Sequence, residues 1–316
     1  MTTPTHPVIV VDWGTTAFRA WLVEAGDGRV HATIPDGRGM RELAGTSFRD
    51  YCAERLTPWR SGPGEPPPVY LAGMVGAATG WATAPQPALP LRPQDLAAHI
   101  IPAPGLDNAW LLPGVRVDSD APDRVDVMRG EEVQILGALG RSDRRNAILC
   151  LPGTHSKWAR VVDGVLKDFT TFMTGEVYAA LLGHTLLGQG VEAGAIGSTA
   201  GSVEAFRRGL TQATVDGAGL LAHAFAARTR RLYRDLAADD VPAFLSGLLI
   251  GEELAGAAAL GYLPRPEVVV VGAEALAARY AEALAIIGTR AETVAAADAT
   301  LAGVLALARL HRPSPP

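Results

Sequence analysis

Residues 8–24 read VIVVDWGTTAFRAWLVE, and the fold class turns on them. Val8–Val11 is a short run of β-branched side chains, suited to a pleated surface, and it closes on the carboxylate of Asp12. Gly14-Thr15-Thr16 follows as a tight turn. Beyond it Phe18, Ala20 and Leu22 alternate against Arg19, Trp21 and Val23, the period of two expected of a strand. The stretch therefore predicts strand, tight turn, strand. Gly26–Gly28 turns the chain again before a third extended segment, Val30–Ile34.

Working outward, residues 46–57 have helical periodicity and end in the Pro/Gly-rich segment 58–68. Residues 69–72 (VYLA) predict a buried strand running into Gly73-Met74-Val75-Gly76. Pro85, Pro87, Pro90 and Pro93 argue against regular structure over 84–93. A helix is expected over 131–139, then a charged turn over 141–146. Residues 147–151 (AILCL) predict a buried strand ending in Pro152-Gly153-Thr154. Further on the pattern predicts a hairpin around Asp163-Gly164, a helix over 176–187, a Gly/Ala-rich loop over 190–201 and one or two helices over 203–236. It closes with a helix over 243–260, a strand over 267–271 and helices over 274–287 and 297–310. Apolar strands alternating with crossover helices indicate an α/β fold.

Displaced by 139 residues, Gly14-Thr15 falls on Gly153-Thr154, Ala20 on Ala159, and Leu22-Val23 on Val161-Val162. Gly-Thr pairs are common, and chance alignment is the plain alternative. The sharper reading is two similar halves, each opening with a hairpin whose Gly-Thr turn points into a shared cleft. Such turns suit a nucleoside triphosphate: glycine lets backbone N–H groups approach a phosphate, and threonine adds a hydroxyl donor. Asp12, just before the first turn, is placed to hold Mg²⁺ against those phosphates, although an Asp there also serves as an ordinary turn cap.

The chain has 316 residues, is 48% hydrophobic and 19% charged, and carries a formal net charge of −5 without a dense basic run. That disfavours nucleic acid as the main partner. Cys52 and Cys150 make no disulfide framework. No apolar run reaches the roughly 18 residues of a membrane span, and no secretory signal pattern opens the chain. These features predict a soluble cytoplasmic protein; a homo-oligomer is compatible with them. There is no GxxxxGK[ST], no GxGxxG after a strand, no HExxH and no GxSxG, so the familiar phosphate-loop, dinucleotide, zinc-protease and hydrolase motifs are absent.

The segments VVDWGTTAFRAW and LPGTHSKW resemble the first and second phosphate motifs of the actin/hexokinase/Hsp70 ATPase superfamily, and VVVVGAEALAARYAEAL resembles its adenosine motif. More narrowly, DWGTTAFRAW, AGMVGAATGW, VMRGEEVQILGAL, LPGTHSKW, DFTTFMTGEVYAALL and LSGLLIGEEL together resemble the 2-dehydro-3-deoxygalactonokinase family over nearly the whole chain. The segment GAATGW departs from the GSRQGW expected there. The resemblance implies two ribonuclease H-like ATPase-type domains with an ATP cleft between them. The expected division is 1–140, bearing the sugar-acid site, and 141–316, bearing the nucleotide site, with the last helix a candidate to cross back. It also implies ATP and Mg²⁺ as cofactors and a small sugar acid as substrate, phosphorylated on its 6-hydroxyl. A kinase for another sugar or amino sugar and a non-catalytic ATP-binding regulator are the alternatives. A repressor of that kind would carry an N-terminal helix-turn-helix, for which a first strand beginning at residue 8 leaves no room.

Phosphoryl transfer needs positioning, charge neutralisation and an acceptor for the substrate hydroxyl proton. Glu131, directly after Gly130, is the candidate base, with Asp126 and Glu132 as rivals; a glutamate in a first helical turn also simply complements the helix dipole. Arg129 could pair with a sugar-acid carboxylate. The resemblance places Gly14, Thr15, Thr16, Arg19, Gly153 and Thr154 at the phosphates, Gly272 and Ala273 at the nucleoside, and Gly73, Met74 and Trp81 at the sugar acid; Lys157, just after the second Gly-Thr turn, is placed to bind phosphate or the substrate acid, with a surface lysine as the plain alternative. Trp13, Trp81 and Trp158 are each open to being packing residues or a sugar platform.

Overall fold

The structure is a computed structural model in which residues 5–118, 124–142, 144–191, 199–214 and 218–312 are described. Strands are β1 (Pro7–Trp13), β2 (Phe18–Glu24), β3 (Val30–Ile34), β4 (Val69–Ala72), β5 (Ile101–Pro102), β6 (Ala109–Leu111), β7 (Val115–Asp118), β8 (Val125–Met128), β9 (Ala147–Leu151), β10 (Ser156–Val162), β11 (Val165–Phe172), β12 (Glu267–Gly272) and β13 (Arg290–Ala295). Helices are α1 (Phe48–Arg60), α2 (Pro93–Ala97), α3 (Glu131–Gly140), α4 (Thr174–His184), α5 (Ala200–Gln212), α6 (Leu220–Tyr233), α7 (Val241–Ala259), α8 (Glu274–Ile286) and α9 (Ala296–Leu310). The chain forms two compact units: Met1–Ala147 with Arg160–Phe169 and Ala295–Pro316, and Ile148–Ala159 with Thr170–Val294. The last helix, α9, thus groups with the first unit.

In the first unit the sheet order is β3-β2-β1-β4-β6-β5. β1 and β2 pair antiparallel, placing Asp12 opposite Arg19. β1 and β4 pair parallel, as do β4 and β6, so their carboxyl ends lie together. Ile9, Val10 and Val11 are fully buried, which explains why β1 reads as a continuous apolar run. The second sheet has the order β11-β10-β9-β12-β13, with β9 and β12 parallel. Strand for strand, β9, β10, β11, β12 and β13 occupy the places of β1, β2, β3, β4 and β6. The repeat read from the two Gly-Thr pairs is therefore a repeat of topology.

The predicted hairpins, buried strands and long helices are present, with ends displaced by a few residues: α4 starts at Thr174 and closes into the turn Leu186–Gly188. Three expectations need correction. Pro93 does not lie in irregular chain but opens α2, where a first-turn proline loses no helical bond. β5 to β8 and β13 were not foreseen, being short strands or, in β13, one whose residues are intermediate or exposed throughout. Ala238–Ala259 is long and apolar enough to match a membrane span, but 78% of its apolar window is buried inside the structure, and α7 serves as a core helix. Residues 192–198 of the expected Gly/Ala-rich loop, 215–217 of the predicted helical stretch and 143 of the charged turn lie outside the described residues.

Each unit contains one helix crossing built on paired glycines. A Cβ on Gly137 of α3 would lie 1.8 Å from the Ala299 carbonyl of α9, and one on Gly303 1.9 Å from the Val133 carbonyl. In the second unit a Cβ on Gly209 of α5 would lie 2.0 Å from the Phe244 carbonyl, and one on Gly247 of α7 1.9 Å from the Phe206 carbonyl. Backbone cannot yield as a flexible side chain does, so even one methyl group forces the helices apart. Gly303→Ala and Gly247→Ala should each destabilise by about 1–3 kcal/mol, seen as a lower urea midpoint. Gly140→Ala, with nothing within 4 Å of its added Cβ, should leave the midpoint unchanged or raise it.

Candidate functional site

In the first unit the functional side chains gather where β1 and β4 end. Asp12 is half-buried, with Arg19 Nη1 3.8 Å from its Oδ2. Trp13 is fully buried among Phe18, Phe48, Tyr51 and Trp81, and its indole N–H donates to the Arg38 carbonyl at 3.1 Å. The turn itself closes through Gly14 N to the Ala17 carbonyl at 2.9 Å. A crossing segment holds it from outside: the amides of Met40 and Arg41 donate to the carbonyls of Gly14 and Thr15, each at 3.2 Å. Gly39 makes that crossing possible, because a Cβ there would sit 2.3 Å from the Thr16 carbonyl carbon. Thr15 is half-buried and Thr16 exposed.

β4 runs into Gly73, whose φ of 96° is one that glycine adopts freely. A Cβ there would lie 2.9 Å from the Trp13 carbonyl oxygen and 3.5 Å from Asp12 Oδ1. Gly130, at φ 108°, faces Gly73 in turn, its own Cβ position 3.3 Å from the Gly73 Cα. Two glycines thus let the end of β4 and the start of α3 close onto Asp12, and Glu131 opens α3 at that point. Met74 beside them is exposed.

Three carboxyl groups occupy this region, in different states. Burial pushes the Asp12 pKa up, Arg19 pulls it back and the nearby Glu131 charge raises it further. Glu131 Oε2 accepts from the Arg129 amide at 3.2 Å. Glu132 is 1% exposed, and the Gly130 amide donates to both its oxygens at 2.9 and 2.8 Å. Burial first, and the Glu131 charge second, push Glu132 to about 8. Glu132 is thus sealed from solvent. Asp126 lies on the β7/β8 ribbon opposite Val117, its Oδ1 accepting from the Val127 amide at 2.8 Å.

Arg129 is half-buried. Its Nη2 donates to the Ala84 carbonyl at 2.8 Å, while Nη1 is shielded from solvent without a hydrogen-bond partner. Burial lowers its pKa and Glu132 opposes that shift. Trp81 is half-buried against Trp13, and its indole N–H donates to the Pro104 carbonyl at 3.1 Å. Trp13 and Trp158 are fully buried packing residues rather than platforms.

In the second unit Gly153 and Thr154 form the turn after β9. A Cβ on Gly153 would meet nothing within 4 Å, so this backbone is open to a ligand. Gly272 ends the neighbouring parallel strand β12, its Cβ position 3.6 Å from Pro152 Cδ, and Ala273 caps α8. Lys157 is not the exposed cation that the sequence allows: it is 4% exposed, and its ammonium donates to the His155 carbonyl at 2.9 Å, bracing the turn from within. His155 Nε2 lies 2.5 Å from Glu176 Oε2.

One buried acid went unassigned in the sequence. Glu253 is 2% exposed and accepts from Trp158 Nε1 at 2.8 Å, the Tyr280 hydroxyl at 2.7 Å and the Thr174 hydroxyl. Its signal was the acid pair Glu252-Glu253 inside LSGLLIGEEL, on a mostly apolar helix. Among the described residues no three His, Cys, Asp or Glu side chains cluster as a metal site. Asp12 with Glu131 nearby instead fits a cation that keeps waters and phosphate oxygens as its other ligands, the habit of Mg²⁺.

The sequence model of the family described as 2-keto-3-deoxy-galactonokinase matches residues 12–307. The chain is 35% identical over 301 residues to the 2-dehydro-3-deoxygalactonokinase of Escherichia coli (strain K12), covering 95% of this chain and 97% of that one. It is similar to the crystal structure of a candidate 2-dehydro-3-deoxygalactonokinase from Sinorhizobium meliloti at a TM-score of 0.84 and 35% identity, over 96% of this chain and 98% of that one. The activator of the 2-hydroxyisocaproyl-CoA dehydratase from Clostridium difficile, solved with bound ADPNP, shares the fold at a TM-score of 0.50 and 13% identity, over 96% of this chain and 95% of that one. The fold is of the actin/hexokinase ATPase class.

The state of Glu132 has a measurable consequence. Its folded pKa of about 8 lies above the ordinary 4.5 of a glutamate, so protonation favours the folded chain. That contribution is complete below about pH 4.5 and is lost as pH rises through about 8. Glu132→Gln removes this pH dependence, so relative to the parent chain the variant should gain stability as pH rises from about 4.5 to about 8 and level off above it. Urea midpoints across that range measure this; a constant difference would show that Glu132 does not titrate there.

Proposed function

The chain belongs to the 2-keto-3-deoxy-galactonokinase family, and from that membership we propose that it transfers the γ-phosphoryl group of ATP to the 6-hydroxyl of 2-dehydro-3-deoxy-D-galactonate. The observation that supports this reading most is the closure of Gly73 and Gly130 onto Asp12 with Glu131 opening α3 beside it. It gives one carboxylate to organise a cation and a second to accept a proton, with backbone glycines where a substrate must come close.

In this reading Asp12 holds Mg²⁺, directly or through water, and the ion supplies charge neutralisation on the phosphate oxygens. Arg19 balances the Asp12 charge and meets phosphate. The backbone and hydroxyls of Gly14, Thr15, Thr16, Gly153 and Thr154 bind phosphate oxygens, and Gly272 with Ala273 receives the nucleoside. Gly73, Met74 and Trp81 line the sugar-acid site. Arg129, half-buried and held by the Ala84 carbonyl, pairs with the substrate carboxylate through a charge-assisted bond. Glu131 accepts the proton of the attacking hydroxyl; the dipole at the start of α3 favours its charged form. Lys157 keeps the second turn in shape. A catabolic kinase of this kind works in the cytoplasm, where ATP and the sugar acid are found together.

General-base contributions are typically about 10²–10⁴-fold, so Glu131→Gln should lower kcat by that range while the KM for ATP changes little. Asp126→Asn is the matched variant: a collapse there, with full kcat in Glu131→Gln, moves the base to Asp126.

Substrate class is tested by ATP consumption with 2-keto-3-deoxy acids, plain sugars and amino sugars. Turnover should require the acid group, with the galacto-configured 3-deoxy acid preferred. Equal turnover of a neutral sugar would overturn carboxylate recognition by Arg129.

A further inference from the structure

We propose that Glu253, acting through Thr174, is a positioning residue that sets the Gly153–Thr154 turn for the phosphates of ATP. This rests on the reading of that turn as a phosphate site. The Glu253 carboxylate joins five elements. Trp158 Nε1 reaches it from β10 at 2.8 Å, the Tyr280 hydroxyl from α8 at 2.7 Å, and the Thr174 hydroxyl from the first residue of α4. Cys150 Sγ of β9 lies 4.0 Å away, and Glu253 itself sits on α7. The Tyr280 hydroxyl also contacts Ser156 Oγ, at 3.0 Å. Cys150 and Ser156 flank the turn, two residues before Pro152 and two after Thr154.

Thr174 carries the constraint to the turn itself. Its neighbour Gly175 lies so close that a Cβ there would be 2.5 Å from the Gly153 carbonyl oxygen and 2.8 Å from the Thr154 Cα. The Glu176 amide then donates to the Thr154 carbonyl at 3.0 Å. The start of α4 is therefore in contact with the turn, and a shift of α4 moves the atoms that face phosphate. A displacement of about 1 Å at a reacting group can cost on the order of 10²-fold in rate.

A carboxylate is a poor choice if the site needed only a packed core. Burying one costs solvation that an apolar side chain of similar volume would not lose. What a carboxyl group does supply is fixed direction: two oxygens take three donors from three different elements. Geometry rather than stability is the property it adds at this place.

The test is binding of a non-hydrolysable ATP analogue with Mg²⁺ to the full chain by calorimetry, alongside KM values for both substrates. Thr174→Val keeps the shape and removes the hydroxyl. It should weaken analogue binding by about tenfold or more, as expected for a lost bond to a charged group, and leave the KM for the sugar acid unchanged. Thr174→Ser should restore binding. Glu253→Gln, which keeps the side-chain volume, should show the same selective loss and stands in if Thr174→Val does not fold. Thr154→Val separates the two ideas. If Thr154→Val weakens the analogue and Thr174→Val does not, Glu253 and Thr174 are structural and the proposal fails alone. If Thr154→Val binds as the parent chain does, the phosphate reading of the turn fails and takes the proposal with it. Equal losses for analogue and sugar acid in Thr174→Val and Glu253→Gln would also overturn it.

Discussion

The central strands of both sheets are sealed on both faces, and that constraint decides where chemistry can occur. Ile9, Val10 and Val11 in β1, and Val268 to Val271 in β12, are all within 3% of complete burial. No polar group is tolerated along such a strand, so the chain places its first carboxylate at the end of β1, as Asp12. Parallel pairing of β1 with β4, and of β9 with β12, then brings two strand ends together in each unit. A turn that leaves one strand end meets the turn that leaves the other. In the first unit that meeting is tight enough to demand glycine at Gly73 and Gly130; in the second, Gly272 rests against Pro152 at ordinary contact distance.

The two units share a topology but not the means of holding their turns. The first Gly-Thr turn is bound on its outside by main chain, with Gly39 giving room for Met40 and Arg41 to donate into it. The second is also held by main chain, the Glu176 amide donating to the Thr154 carbonyl, but it adds side chains: Lys157 on the His155 carbonyl and Glu253 behind α4. Main-chain hydrogen bonds leave few side-chain demands on the sequence, whereas a buried carboxylate needs its donors at fixed positions. This difference accounts for the limited likeness of the two halves in sequence beyond the Gly-Thr pairs.

The same difference governs what could be read in advance. β1, β4, β9 and β12 were legible because a strand buried on both faces has only one composition open to it. The glycine crossings were not, since a glycine in a helix looks like a weak helix former until its neighbour is known. β13 escaped because none of its residues is buried, and β8 because Val125 and Val127 are exposed at 70% and 51%. Asp12 and Glu131 stood out by position, one near the end of a strand and one following a glycine at a helix start, and the structure brings both to the region of Gly73 and Gly130. Glu253 was not, because its meaning lies in three donors brought from residues 158, 174 and 280. The burial of Lys157 was not legible, because a lysine after a turn is usually solvated; here the hairpin folds it inward.

The acids at the start of α3 show how one short segment divides roles among like groups. Glu131 and Glu132 are adjacent, yet successive helical residues point about 100° apart, so only one can face Asp12. Glu132 turns inward, loses water and is driven toward its neutral form at about 8. Glu131 remains half-buried, reaches back to the Arg129 amide and makes its charge felt at Asp12. If Glu132 were also charged, three carboxylates would crowd one helix end with only Arg19 and Arg129 to offset them. Keeping Glu132 protonated leaves two, the number that the proposed cation-holding and proton-accepting roles call for. The neutral acid still accepts from the Gly130 amide, so it holds the glycine that brings α3 against Gly73 without adding charge to the site. Burial of one glutamate thus keeps like charge away from its neighbour, the acid to which the proposed mechanism gives the proton-accepting role.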